Sequence, residues 1–212
     1  MSDVKFSALP ADTTPADAVE FGINDAGTSR KVTRDNLLDG VTVHSWLGAE
    51  AWTPTITTGC SSIATREIGA NNQNVNYLAF PDGADSKAFY NMVLPQNWDA
   101  LTIKVKVYWT TELPSATTET AELEIAAVSY GDSDPLGGTA FPTGVASTDT
   151  WLANDDMHIM AQSAAVTITN AAVGEYIGFV LTRDISGDTL QGDIQFLGAT
   201  LEYTITKTAS VG

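Results

Sequence analysis

Apolar and polar residues alternate most cleanly from Leu101 to Thr111. Leu101, Ile103, Val105, Val107 and Trp109 fall on one face, with Thr102, Lys104, Lys106, Tyr108 and Thr110 on the other. A period of two predicts a strand with one buried side. The alternation returns over Glu122-Leu-Glu-Ile-Ala after a connection that contains Pro114, so the two segments read as a hairpin. In that register Lys106 lies opposite Glu122 and Lys104 opposite Glu124, while Val105 meets Leu123 and Ile103 meets Ile125. Opposite charges across strands contribute only about 0.2–1 kcal/mol per pair. The apolar face must therefore supply most of the stability, while the charges help to select register.

Further strands follow from the same pattern. Ile63 to Ile68 is a candidate, and Val75 to Phe80 is a better one, ended by the turn residues Pro81-Asp-Gly. Ser86 to Leu94 is expected to return antiparallel, with Phe89, Asn91 and Val93 on one face and Ala88, Tyr90, Met92 and Leu94 on the other. Neither face is strongly polar, which fits burial on both sides or a subunit contact. Met157 to Gln162 and Ala165 to Thr169 are short candidates; Glu175 to Arg183 is firmer, with Ile177, Phe179 and Leu181 pointing one way. Ile194 to Thr206 closes the series, and its apolar phase slips between Phe196 and Leu197 just before Gly198, which predicts a β-bulge. Thr42 to Gly59 reads as the entry to the main domain, and the stretch from Gly131 to Asp156 as loop followed by a long polar connection. About eight strands, few helical patterns and no internal repeat predict an all-β chain, an antiparallel β-sandwich, most simply a jelly roll.

Residues 1–43 are patterned differently. Short apolar islands stand apart between Pro, Asp, Thr and Gly, and such a segment cannot bury enough surface to offset its ordering entropy. An extended N-terminal arm over 1–43 and a jelly-roll domain over 44–212 are the expected division. Within the arm, Asn24 to Ser29 reads as a turn between two extended pieces, and Thr33 to Gly40 as one or two helical turns.

Composition narrows the chemistry. The 212 residues carry 26 acidic and 10 basic side chains, a formal charge of −16, which repels phosphate backbones and argues against nucleic-acid binding. No apolar run approaches the roughly 18 residues of a membrane span, and the N-terminus shows no secretory signal pattern. Folding in the cytoplasm where the chain is made is the expectation. Cys60, the single cysteine, can form no intrachain disulfide and reads as a small buried apolar residue.

Catalytic motifs are absent: there is no Gly-x-Ser-x-Gly elbow, no phosphate loop with lysine and no His-Glu-x-x-His. The imidazoles of His44 and His158 define no shared site, and loop aspartates Asp132, Asp134, Asp155 and Asp156 more often make turns than hydrolytic pairs. No enzyme activity, catalytic residue, cofactor or bound metal is expected, although Asp184, Asp188 and Asp193 crowd one turn region where a hard cation would find oxygen ligands. Of the tryptophans, Trp109 lies on the predicted core face. Trp98 and Trp151 fall in connections and are the candidates for ligand contact, since an indole face beside polar groups suits a sugar ring.

Two stretches carry a resemblance. Phe6-Ser-Ala-Leu-Pro, with the run from Pro15 through Glu20-Phe, Gly27-Thr-Ser-Arg-Lys-Val-Thr and Leu37-Leu, resembles the N-terminal virion-attachment segment of tailed-phage fibre and appendage proteins. Leu101-Thr-Ile-Lys-Val followed by Tyr108-Trp, and the closing stretch from Leu181 to Gly198, are similar to the jelly rolls of such appendages. The resemblance implies a bacteriophage virion structural protein, a tail fibre or a head fibre or capsid decoration, located on the virion and contributing to host attachment. It also implies a homotrimer that touches other virion proteins through its arm, with Phe6, Leu9, Phe21, Ile23 and Val32 as partner anchors, and a host-surface glycan as a further partner. The alternative on the same sandwich is a carbohydrate-binding module or small glycan-active enzyme, with Trp98, Trp151 and nearby carboxylates as its site.

Overall fold

The computed structural model describes residues 20–25, 28–33, 40–112 and 118–206. Strands β1 (Glu20–Asp25) and β2 (Thr28–Thr33) pair antiparallel as a two-stranded sheet of their own. Next come β3 (Val41–Gly48), β4 (Thr53–Pro54), β5 (Ala64–Ile68), β6 (Gln73–Phe80) and β7 (Ser86–Val93). The long strands β8 (Trp98–Thr110) and β9 (Thr120–Tyr130) follow, then β10 (Val145–Thr150), β11 (His158–Ile159) and β12 (Val166–Thr169). β13 (Tyr176–Arg183) and β14 (Ile194–Ile205) complete the chain.

Strands β3 to β14 form a β-sandwich of jelly-roll type, antiparallel but for one pairing. The first layer runs β4-β7-β13-β9, with β10 on the far side of β9; the second runs β5-β6-β14-β8, with β3 beside the latter half of β14. β12 joins the layers, pairing parallel with β9 at Ile168 and Thr169 and antiparallel with β8 at Val166 and Thr167. Alternation in each strand turns one side chain in two toward the other layer. Ile103, Val105, Val107 and Trp109 of β8 thus meet Leu123 and Ile125 of β9 and Ile177, Phe179 and Leu181 of β13 in one core. Aromatic edges lock its middle: Trp52 meets Phe196 at 5.6 Å and 84°, and Phe80 meets the same ring at 6.1 Å and 80°. Cys60 is buried among these residues, and desolvation pushes its thiol up to about 12, so it behaves as an inert apolar group.

Several expectations from the sequence are corrected. β8 and β9 are strands, but they lie in different layers and do not pair. Lys104 faces Glu202 of β14 instead of Glu124, and Lys106 faces Thr200. Either pairing places an acidic residue opposite Lys104, so the charges could not distinguish the partners. β7 likewise pairs with β13 and β4 and not with β6. Leu101 shares the phase of the core residues yet is 65% exposed; Ala100 beside it has φ +54°, and the register against β14 shifts between the Tyr203–Ile103 and Ile205–Trp98 pairs, an irregularity that turns Leu101 outward while Trp98 stays in the layer. β10 lies where a polar connection was expected, and β3 is a strand in the entry to the domain for which none was predicted. The bulge in β14 is where the phase slip placed it, between Phe196 and Gly198.

Candidate functional site

The outer face of the first layer is built in rows. Lys87 of β7 stands beside Thr182 of β13, which stands beside Glu124 of β9; one row on, Phe89, Val180 and Ala126 are neighbours, and then Asn91, Gly178 and Val128. All of these occupy the alternate positions that point away from the core. Over the last row lies the loop that follows β9. Phe141 meets the Phe89 ring edge-on at 6.2 Å, and a Cβ on Gly178 would sit 3.7 Å from its ring. The loop continues through Pro142, Thr143 and Gly144, where a Cβ would fall 2.6 Å from that of Glu124. Between loop and sheet lies an open groove of about 290 Å³, lined by Asp85, Lys87, Glu124, Ala126, Phe141, Val180, Thr182 and Asp184 among others.

One end of the groove is apolar and the other acidic. Burial, then the charges of Asp184 and Asp85, hold the Glu124 carboxyl above the usual carboxylate range, with Lys87 working against them. Glu122, one turn of the alternation earlier, is raised by burial and by Glu124, Asp184 and Asp188. Hydrogen bonds from Ser186 lower Asp184, whose Oδ1 accepts the Ser186 N–H at 2.8 Å. Asp85 accepts the Ile185 N–H at 3.1 Å. The groove therefore offers fixed acceptors, one ammonium donor, the Thr182 hydroxyl and an aromatic wall.

The positions singled out in the sequence lie elsewhere. Trp98 is 1% exposed and Trp151 9%, both packed in the core, so neither presents a ring face to a ligand. A strand alternation begins at Trp98, which carries it inward; only the connection before it is loop. Phe21 pairs with Val32 and Ile23 with Arg30 in the β1–β2 ladder, while Phe6 and Leu9 lie outside the described residues, as do most of the expected helical turns. Of the crowded aspartates, Asp188 is held by the buried Arg183 at 2.9 and 3.0 Å, and no cluster of metal-ligating side chains occurs among the described residues. His158 is buried and stacked on Trp109 at 4.2 Å, and His44 lies on the outer face of the second layer. The groove residues were unreadable as a set because their adjacency depends on β7, β13 and β9 being neighbours.

No family model matches the sequence, and no curated protein matches it. Among solved structures, the chain is similar to the CBM22-1 and GH10 modules of the Clostridium thermocellum endo-1,4-β-D-xylanase 10B complexed with xylohexaose. Identity is 18% and the TM-score 0.44, over 75% of this chain and 28% of that one. This chain thus spans under a third of that relative's length. It is also similar to the CBM22-1 xylan-binding domain from a Paenibacillus barcinonensis protein, at 11% identity and TM-score 0.45, over 79% and 97% of the two chains. A third similar structure is a family 11 carbohydrate-binding module from Clostridium thermocellum in complex with a β-1,3-1,4-mixed-linked tetrasaccharide, at 8% identity and TM-score 0.41, over 78% and 98%.

The expectation of a bacteriophage virion structural protein, as tail fibre, head fibre or capsid decoration, is corrected: the similar structures described above are carbohydrate-binding modules or carry one, and none of them is a virion protein. The homotrimer, the contacts with other virion proteins and the host attachment lose their support with it. The reason is physical, since a jelly roll is an arrangement of layers that fits many roles and names none.

Proposed function

We propose that this chain is a carbohydrate-binding module that takes a neutral polysaccharide along the groove of the first layer. The row Lys87–Thr182–Glu124, laid next to the Phe141 wall, carries the reading. A sugar ring has hydroxyls at its rim and C–H bonds on its faces. The hydroxyls can donate to Glu124 and Asp184 and accept from Lys87, while the C–H face packs on Phe141. An anionic ligand is disfavoured because the carboxylates of Asp85, Glu124 and Asp184 outnumber the Lys87 ammonium. We read the site as binding without cleavage, a reading that the release of reducing ends would overturn.

Electrophoresis of the protein through gels containing soluble xylan, mixed-linked β-glucan or mannan tests this. Retardation by at least one polysaccharide is expected, weakened about tenfold in Lys87→Ala and in Phe141→Ala with folding unchanged by circular dichroism. Incubation with the same polymer should release no new reducing ends. Mobility unaffected by every polymer in the panel, or release of reducing ends, would overturn the proposal.

A further inference from the structure

We infer that the second layer carries a separate sugar-stacking site centred on Trp46, on the opposite side of the sandwich from the groove. Trp46 is 56% exposed, whereas the other tryptophans, Trp52, Trp98, Trp109 and Trp151, are buried. Single exposed apolar residues are ordinary, but this ring is seated by construction. It lies over Gly198, where a Cβ would fall 2.5 Å from Trp46 Cζ2, and Gly198 takes φ +152° at the bulge of β14. Tyr108 braces it edge-on at 5.1 Å and 77°. The fold thus uses a glycine, a bulge and a second aromatic to hold an indole in place while leaving much of it in solvent.

Polar groups already fixed in position adjoin the ring. Trp46 shares its cross-strand row with Thr200 and Lys106, and the next row is His44, Glu202 and Lys104. Glu202 is the hub: Gln162 donates to its Oε2 at 2.7 Å, Lys104 lies 3.5 Å from Oε1 and His44 3.7 Å from Oε2. Thr200, Lys106, Tyr108 and Gln162 line a notch of about 150 Å³ with His44 and Glu202. A preorganised network beside a braced, exposed indole suits a ligand with an apolar face and a hydroxylated rim, namely one ring of a neutral glycan. The inference does not rest on the groove, because it uses other strands and other residues. Where both sites bind, the chain holds two segments of polysaccharide at once and gains avidity from their linkage.

Tryptophan fluorescence reads this site directly, since Trp46 is the tryptophan within reach of iodide. Xylohexaose, cellohexaose and mannohexaose are added to the wild-type chain, to Trp46→Ala, to Trp46→Tyr and to the groove variant Lys87→Ala/Phe141→Ala. Expected is protection from iodide by at least one hexaose, equal in the wild type and the groove variant. Trp46→Ala should lower that component of binding about tenfold in calorimetry, with Trp46→Tyr recovering part of it. Quenching unchanged by millimolar amounts of every sugar would overturn the inference, as would protection that rises with protein concentration in the absence of sugar, which marks a face between two copies of the chain. Loss of binding in the groove variant alone leaves the Trp46 site refuted and the groove intact; the reverse pattern refutes the groove and keeps this site.

Discussion

Arg183 is fully buried, and every hydrogen-bonding direction of its guanidinium is used. Two nitrogens donate to the Asp188 carboxylate at 2.9 and 3.0 Å, and the remaining bonds go to the carbonyls of Phe80 and Gly192 at 2.7 Å and Leu190 at 2.8 Å. Asp188 in turn accepts the N–H groups of Leu190 and Glu122 at 2.7 and 3.1 Å. The pair fixes the turn between β13 and β14 and ties it to the start of β9. Asp188→Ala leaves the guanidinium charged and without a counterion in the core, and should cost about 3–5 kcal/mol. Urea unfolding followed by tryptophan fluorescence measures this, with the midpoint falling well below that of the wild type. In the sequence these aspartates read as a crowd of oxygen ligands: Arg183 shares the inward phase of Ile177, Phe179 and Leu181, but an arginine at a strand end can as readily carry its head to solvent.

At the level of the strand, alternation was a good guide to which residues form ladders and a poor one to which ladders they join. Ile177, Phe179 and Leu181 face the core as their phase required. The pairing of β8 was not readable, since Lys104 finds a carboxylate opposite it whether the partner is β9 or β14. β3 shows a signal that could have been used: Val43, Ser45 and Leu47 alternate with His44 and Trp46, which places an indole on the polar side of a short strand. The bulge of β14 was legible because a phase slip followed by glycine has few other meanings. Gly198 also carries the tightest constraint in that strand. Gly198→Ala must adopt an unfavourable φ and displace Trp46 and the Leu47 carbonyl, so a loss of about 2–5 kcal/mol is expected. Calorimetric melting checks it, and iodide should then reach the displaced indole more readily.

For the molecule as a whole, carboxylates at and beside the acidic end of the groove set a pH dependence. Glu122 and Glu124 have raised folded-state pKa values, so the folded chain binds more protons than the unfolded one as pH rises above the ordinary value of 4.5. Their contribution is favourable below that range and is lost as pH climbs through the raised folded values. Asp184 and Glu202 act in the other sense, because lowered carboxylates lose their contribution only as pH falls. Glu122→Gln should therefore flatten the decline of melting temperature between mildly acidic and neutral pH, and a pair of melting curves on either side of that window measures it. An unchanged slope would mean that the repulsion of Glu122 by Glu124, Asp184 and Asp188 is relieved by solvent.

The two layers are also continuous at β12, like a sheet of paper creased along one margin. At the other margin β4 and β5 are the outermost strands, and the irregular stretch between them laces the layers: Cys60 N–H donates to Lys87 O at 3.1 Å and Ser61 N–H to Ala79 O at 2.8 Å. A crease does not part without breaking ladders, whereas a lace can come undone bond by bond. The sandwich is thus hinged on one side and latched on the other, and the single thiol of the chain sits inside the latch, where its exposure would keep time with the opening.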